Sequence, residues 1–347
     1  MPDTHLSHYA FEGIPAPAEM LEVAPGVYWH RMPLPFKLDH INLWLLEDGD
    51  GWTAIDTGIN RPEVIDAWER IFATRLGGRP LRRLIVTHFH PDHVGLAGWL
   101  QKRTGAEFWM PLAEWAFARL MSLDQSDETH DTSVAFYRAT GFDSNQIAAA
   151  GSRRGGYAKS ISPIPLAFRR YREGETMTIG GRGWRVIVGL GHSPEHACLW
   201  CEELRVLISG DQILPRISPN IAVWPHEPNS NPLALYLDSL GKFRSLPDDV
   251  LVLPSHDRPF RGLAWRLDEL ADHHHVRLQR TWEACAAPST GAEVLRRLFT
   301  RELDSHQLMF AIGESLAHLH FLRGVGALAR ETRADGAWLF HQVGKYG

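Results

Sequence analysis

Three imidazoles and a carboxylate fall within six residues in the segment Thr87-His88-Phe89-His90-Pro91-Asp92-His93. Imidazole nitrogen suits zinc and related ions, and a carboxylate adds a hard oxygen donor. His88 and His90 are two apart, so an extended or turning backbone can aim both at one ion. Asp92 and His93 sit on the following turn and can serve a second. A solvated loop has no need of four such donors in so short a span. Three further candidates each follow a strand-like run: His192 after Val186 to Leu190, Asp211 after Val206 to Gly210, and His256 after Leu251 to Leu253. Taken singly each is weak. Beside the first cluster they gain weight, because binding residues gather on loops at one end of a rigid sheet. Two divalent cations sharing a water would lower its pKa toward neutrality and give a hydroxide nucleophile.

The elements that must position these donors are legible in outline. Gly26 to Arg31, Ile41 to Glu47 and Trp52 to Asp56 read as strands, with Asp48-Gly49-Asp50-Gly51 turning the last two. A helix opens at Arg61-Pro62, carries Val64, Ile65, Trp68, Ile71 and Phe72 at helical spacing, and stops at Gly77-Gly78. Arg83 to Thr87 is a short strand running into His88, and a helix is expected from His93 to about Arg103. Pro111 to Gly151 reads as helices with polar breaks. Strands resume near Phe168, at Thr176 to Ile179 and at Trp184 to Leu190. A hairpin of Ala197 to Cys201 with Arg205 to Ser209 follows, then a helix over Pro232 to Ser245 and a strand over Val250 to Leu253. From Gly262 onward the pattern is helical, with helices over about Gly291 to Thr300 and His306 to Leu322. Short strands over Ala327 to Glu331 and Ala337 to His341 meet at Asp335-Gly336. Helices closed by such a hairpin suggest a small winged-helix-like module.

The bulk properties exclude several classes. The chain has 347 residues, 44% of them hydrophobic, which is enough for a large domain and a small one. A net charge of −5 gives no sign of a nucleic-acid or membrane coat. Met1 to Pro17 lacks the basic start and apolar run of a signal peptide, and no apolar stretch reaches the roughly 18–20 residues of a membrane span. Three cysteines cannot build a disulfide framework. The expectation is a cytoplasmic protein that is not membrane-bound and acts on a small molecule.

Taken together, the motifs resemble the metallo-β-lactamase superfamily. The signature His-x-His-x-Asp-His appears as His88 to His93. Ile55-Asp56-Thr57-Gly58 is similar to the family's upstream Asp-Thr-Gly turn. Gly191-His192-Ser193-Pro194, Ser209-Gly210-Asp211 and Pro254-Ser255-His256 match its later motifs in order. The resemblance implies an α/β fold, an αββα sandwich over residues 1–262, with residues 263–347 as a small C-terminal helical, winged-helix-like domain. It implies two divalent metal ions, zinc first and iron or manganese as the other choices. His88, His90 and His192 would hold one, and Asp92, His93 and His256 the other. Asp211 would bridge them, and Asp56 would stand behind the ligands. Asp92 and Asp211 would be catalytic, holding the metals and helping to move the proton of the attacking water. Asp257 departs from the glycine often found after the last histidine. The segment Gln212 to Asn220 and the tail from Asp304 resemble a branch that includes an endoribonuclease.

The implied activity is a dinuclear metal-dependent hydrolase that uses a metal-bridging hydroxide on an ester or thioester carbonyl: acyl-CoA, glutathione thioester or lactone. The alternatives are a phosphodiesterase or endoribonuclease with the same metal site, which makes RNA a second possible partner, and a regulatory or nucleic-acid-binding protein working through its tail. The oligomeric state is left open, a homodimer included. Secondary features have plainer readings. Cys198-Leu199-Trp200-Cys201 falls in a strand and reads as structural, and His273-His274-His275 reads as a solvated helix face. Arg153-Arg154, with Arg169, Arg170 and Arg172, reads as a solvated loop or a phosphate contact. The Trp109 to Trp115 segment is expected to line an acyl pocket. Tyr157 and Tyr171 are weak candidates for the leaving-group acid.

Overall fold

The computed structural model describes residues 8–152, 155–300 and 302–346. Arg153-Arg154 and the first residues of the polar N-terminal stretch lie outside them. In chain order come β1 (Leu21–Ala24), β2 (Val27–Pro33), β3 (His40–Asp48), β4 (Gly51–Ile55), α1 (Pro62–Thr74), β5 (Leu81–Ile85), α2 (Pro91–Val94) and α3 (Ala97–Thr104). Then follow β6 (Glu107–Met110), α4 (Leu112–Leu123), α5 (Asp127–Ala139), α6 (Ser144–Gly151) and α7 (Gly156–Lys159). The strands β7 (Arg169–Arg170), β8 (Thr176–Ile179), β9 (Arg182–Gly189), β10 (His196–Cys201) and β11 (Val206–Gly210) lead to α8 (Pro232–Leu240), a 3₁₀ turn over Gly241–Ser245 and β12 (Leu251–Pro254). The chain ends with α9 (Leu263–Ala284), α10 (Gly291–Leu298), α11 (Ser305–Gly324), β13 (Leu328–Thr332) and β14 (Trp338–Gln342).

The contacts divide the chain into two compact units. One runs through Leu123 and adds Gly155–Pro219 and Lys242–Arg266. The other comprises the described residues of Asp124–Arg154, Asn220–Gly241 and Leu267–Gly347. The expected single cut after residue 262 lies near the last of these divisions. The structure also assigns α5, α6 and α8 to the second unit, a grouping that sequence continuity hides.

In the first unit a seven-stranded sheet runs β1 to β7 in order, antiparallel through β4 and parallel from β4 onward. A five-stranded sheet is ordered β12-β11-β10-β9-β8. The alternation of side chains along β3 shows how the layers form. Ile41, Leu43 and Leu45 enter one core with Met32, Leu84 and the Val64, Trp68 and Ile71 of α1. Trp44 and Leu46 enter a second core with Trp29, Ile55 and Ile85, facing Trp184, Val186, Leu199 and Ile208 of the other sheet. On the outer face of that second sheet Ile187, Cys198, Trp200, Leu207 and Val252 are buried too. Both sheets are therefore covered on both faces, the layering of an αββα sandwich.

Two local departures have physical causes. The helix expected from His93 to Arg103 is broken into α2 and α3, because the Asp56-Thr57-Gly58 turn locks into the break. Thr57 N–H donates to His93 O at 2.8 Å, and Leu96 N–H donates to Gly58 O at 3.0 Å. Gly95 sits so close to that turn that a Cβ there would lie 2.6 Å from Gly58 O. Strand β6 is an addition to the expected elements. It is a short parallel strand with Phe108, Trp109 and Met110 buried, and such apolar runs carry no period-2 alternation.

The second unit is helical with one hairpin. Thr290 and Glu293 form a reciprocal cap at the start of α10. Ile312, Leu316, Leu319 and Leu322 of α11 are fully buried. β13 and β14 pair antiparallel from Leu328↔Gln342 to Thr332↔Trp338, the hairpin expected after the helices. Among the described residues no helix is long and apolar enough to cross a membrane.

Candidate metal centre

The seven residues singled out in the sequence come together. Each lies just past the end of a strand: His88 to His93 after β5, His192 after β9, Asp211 after β11 and His256 after β12. One atom each from His88, His90, His192 and Asp211 gathers within 4.8 Å of the others, and so do Asp92, His93 and His256. His88 Nε2 lies 2.9 Å from His90 Nδ1 and 3.2 Å from His192 Nε2. Asp211 faces both groups. Its Oδ2 is 3.4 Å from His192 Nε2, while its Oδ1 is 3.5 Å from His93 Nε2 and 3.4 Å from His256 Nε2. Asp92 Oδ2 lies 3.7 Å from His93 Nε2 and 3.5 Å from His256 Nε2.

The ring orientations are set from behind. Asp56 has φ 63°, a left-handed conformation unusual for a residue with a Cβ. Its Oδ1 accepts from Thr87 N–H at 2.7 Å, and its Oδ2 is 2.7 Å from His93 Nδ1. His256 Nδ1 donates to the carbonyl of His40 at 2.9 Å. With Nδ1 of both rings occupied, each Nε2 is the atom turned to the interior, and it offers a lone pair once a cation displaces its proton. His93 Nε2 and Asp211 Oδ1 are buried without a hydrogen-bond partner. Such orphaned polar atoms are costly unless something satisfies them. An imidazole and carboxylate donor set of this kind fits divalent cations.

Electrostatics divides the cluster. Burial, followed by the neighbouring imidazoles, holds His88 well below the ordinary histidine range. Burial also works against charge on His93, yet Asp56, Asp211 and Asp92 overcome it and raise its pKa well above that range. Burial would raise Asp211, but His256 and His93 hold it well below the usual carboxylate range. The acids and the rings here stabilise each other's charge.

Two contributors escaped the sequence reading. His196, at the start of β10, accepts the Asp211 amide on Nε2 at 3.0 Å and lies 4.6 Å from the His88 ring. This explains Gly210: at φ 54° a Cβ there would sit 2.5 Å from the His196 ring. The nearby sequence Glu195-His196 was the only available signal. Glu114 of α4 is fully buried and accepts from Phe89 N–H at 2.9 Å, Ser193 Oγ–H at 2.7 Å and Glu195 N–H at 2.6 Å. Burial pushes its carboxyl up to about 7 against the pull of those donors.

Other expectations are corrected or explained. Tyr157 OH donates to Phe89 O at 2.5 Å and Tyr171 OH to Val86 O at 2.7 Å, so both phenols brace the loop before the site instead of offering a free acid. Trp109 belongs to the core between the sheets. Trp115 donates to Pro165 O and stacks on Phe168 at 4.5 Å. Trp109 also lines an open cavity, shared with the charged Arg82, Arg83, Arg169 and Glu175. Arg169 covers the Trp109 ring at 4.3 Å. Cys198 and Cys201 are buried on opposite faces of β10, with free thiols whose pKa values burial raises. Asp257 has φ 68°, which is why glycine suits the position. Its carboxylate accepts from Tyr9 OH at 2.6 Å.

Comparison with known proteins follows the same lines. Residues 37–256 match the family described as the metallo-beta-lactamase superfamily, and residues 278–343 match the metallo-beta-lactamase-like, C-terminal domain. The chain is similar to the probable metallo-hydrolase YqjP of Bacillus subtilis, 26% identical over 86% of this chain and 92% of that one. It is also similar to the hydroxyacylglutathione hydrolase of Pseudomonas entomophila, 29% identical over 61% of this chain and 76% of that one. Among solved structures, a beta-lactamase domain protein from Burkholderia ambifaria is 45% identical with a TM-score of 0.91, covering 97% of this chain and 98% of that one. A metallo-beta-lactamase family protein of Thermus thermophilus is 27% identical with a TM-score of 0.78, covering 93% and 100%.

Proposed function

Because the chain belongs to the metallo-β-lactamase superfamily and is a metal-dependent hydrolase, we propose that it cleaves an ester or thioester carbonyl at a dinuclear centre. The observation that carries this reading is Asp211, whose two carboxylate oxygens face different ligand groups. His88, His90 and His192 would hold one ion and Asp92, His93 and His256 the other, with Asp211 within reach of both. Zinc is the ion this donor set favours, with iron or manganese as the alternatives. Bound there, two divalent cations lower the pKa of water and polarise the substrate oxygen.

The chain's own residues do the rest. Asp56 and the His40 carbonyl fix the rings of His93 and His256, so their Nε2 atoms need no reorientation on binding. Asp92 is the more exposed of the two carboxylates, its side chain 20% accessible against 10% for Asp211. That exposure supports Asp92 as the group that would take the proton released on attack. A thioester substrate is favoured over other carbonyl compounds by the similarity to a hydroxyacylglutathione hydrolase.

A panel of acyl-CoA and glutathione thioesters, lactones, a phosphodiester and single-stranded RNA tests the reading on zinc-loaded protein, with Asp211→Ala as control. Thioester or lactone turnover that is lost in the control is the expected result. Cleavage of RNA or the phosphodiester alone would overturn the carbonyl assignment while leaving the metal centre in place.

A further inference from the structure

Besides Asp56, Asp92 and Asp211, the site region holds a fourth carboxylate that no motif marks. Glu114 lies on the first turn of α4, fully buried, and nothing about helix packing asks for an acid there. A buried carboxylate is expensive unless donors meet it. Three do, and they come from two separate loops. Phe89 N–H, on Oε2, is the amide between His88 and His90. Ser193 Oγ–H, on Oε1, belongs to the residue that follows His192. Glu195 N–H, also on Oε1, precedes His196, whose ring accepts the Asp211 amide. The Glu195 side chain returns the contact, accepting from Ala113 N–H at 2.9 Å. One side chain thus ties down the backbone beside three members of a single ligand group and, through His196, the fourth.

The other group is held by different atoms. Asp56 anchors His93, and the His40 carbonyl anchors His256. We propose that Glu114 is a positioning residue for His88, His90 and His192, setting the affinity for the ion they would hold, while it reaches the Asp92, His93 and His256 group only indirectly, through His196 and the shared Asp211. This rests on the dinuclear reading above.

The chemistry needs a carboxylate and not merely the shape of one. Glu114→Gln keeps the volume but turns one acceptor end into an NH₂ donor. If the amide oxygen meets Ser193 and Glu195, the NH₂ faces the Phe89 N–H. In the reverse orientation it faces the other two donors. Either way a buried donor loses its acceptor.

The test is a zinc-affinity measurement by competition with a chromophoric chelator, in two backgrounds. His256→Ala disables one group and His90→Ala the other. In the His256→Ala chain, Glu114→Gln should weaken zinc about tenfold or more, the scale seen for outer partners of metal ligands. In the His90→Ala chain the weakening should be much smaller, since only Asp211 links Glu114 to the remaining group. Equal weakening in both backgrounds, or none in either, overturns the proposal. A general loss of stability would give the first of these patterns, since it is blind to which group holds the ion. Should Glu114→Gln fail to fold, Ser193→Ala removes one of the three donors, and a smaller weakening concentrated in the His256→Ala chain supports the proposal in the same way. If the unmodified chain takes up no zinc, iron or manganese, the dinuclear reading falls and this proposal with it. Two ions in the unmodified chain with no selectivity in the variants overturn the proposal alone.

Discussion

Among the described residues two groups of buried histidines stand out, and one of them shares its space with carboxylates. In the first unit His88, His90, His93, His192 and His256 share their space with Asp92 and Asp211, and Asp56 stands behind. In the second unit His274 Nδ1 meets His318 Nε2 at 3.3 Å, and the His274 ring lies edge-on to Tyr236. The groups that act on His274 after burial are His318, His273, Arg277 and His275, and every one opposes its charge. Burial pushes His274 down to about 2 and His318 to about 4. These two rings behave as neutral, polar-edged aromatics in a core. What separates the groups is the carboxylates, which raise His93 and His256 and converge with the rings on common points.

The sharpest way to break this contrast is to remove a carboxylate that only orients. Asp56→Asn keeps the shape and the Thr87 contact but takes away the charge beside His93 Nδ1. Zinc affinity is expected to fall about 10–100-fold, with turnover falling alongside. Chelator competition on the full chain measures it. An affinity within about twofold of the unmodified chain would mean that ring orientation here does not depend on the acid.

A smaller effect is expected in the second unit, and it concerns stability instead of metal. A neutral His274 folded at about 2 against about 6.5 unfolded means that the unfolded chain binds the extra proton between those values. Its contribution is therefore whole above pH 6.5 and is lost as pH falls through that window. The loss approaches about 1.4 kcal/mol per pH unit once the unfolded side chain is fully protonated. His274→Phe should flatten that slope by one such group while leaving zinc content unchanged. Hydrogen exchange at the amides of α11, compared between pH 7 and pH 5, reads this locally. An unchanged slope would show that the ring is not held neutral.

The same contrast explains what could be read from the sequence. The candidate ligands were legible because they cluster at fixed spacing after strand-like runs. The strands β3, β8 and β9 were legible from their β-rich runs and turn residues. Glu114 and His196 were not, since their roles exist only once α4 and β10 are folded against the ligand loops. The break between α2 and α3 was hidden for the same reason, being imposed by Thr57 and Gly58 from another part of the chain. His274 departs from its sequence expectation because three consecutive histidines suggest a solvated face, whereas a helix sends consecutive residues in different directions. His273 and His275 are exposed, and His274 points into the core.

The smallest expected effect tests whether any acid near a ligand matters. Asp257 follows His256 directly, yet its carboxylate is held by Tyr9 OH, with the Arg216 guanidinium 4.0 Å away. Its backbone is the part in use. The amide donates to His40 Nε2 at 2.9 Å, and the carbonyl accepts from Asn42 Nδ2 at 2.9 Å. Asp257→Gly suits the left-handed backbone and forfeits one partly exposed hydrogen bond, so the two effects oppose each other and stability should stay within about 1 kcal/mol. Asp257→Ala keeps the Cβ penalty that the aspartate already carries and loses the hydrogen bond, and should cost about 0.5–1.5 kcal/mol. Zinc content and kcat should be unchanged in the glycine variant. A raised KM with zinc content intact would instead place this carboxylate against the substrate, and the division between acids that organise histidines and acids that merely adjoin them would need a third class at the mouth of the site.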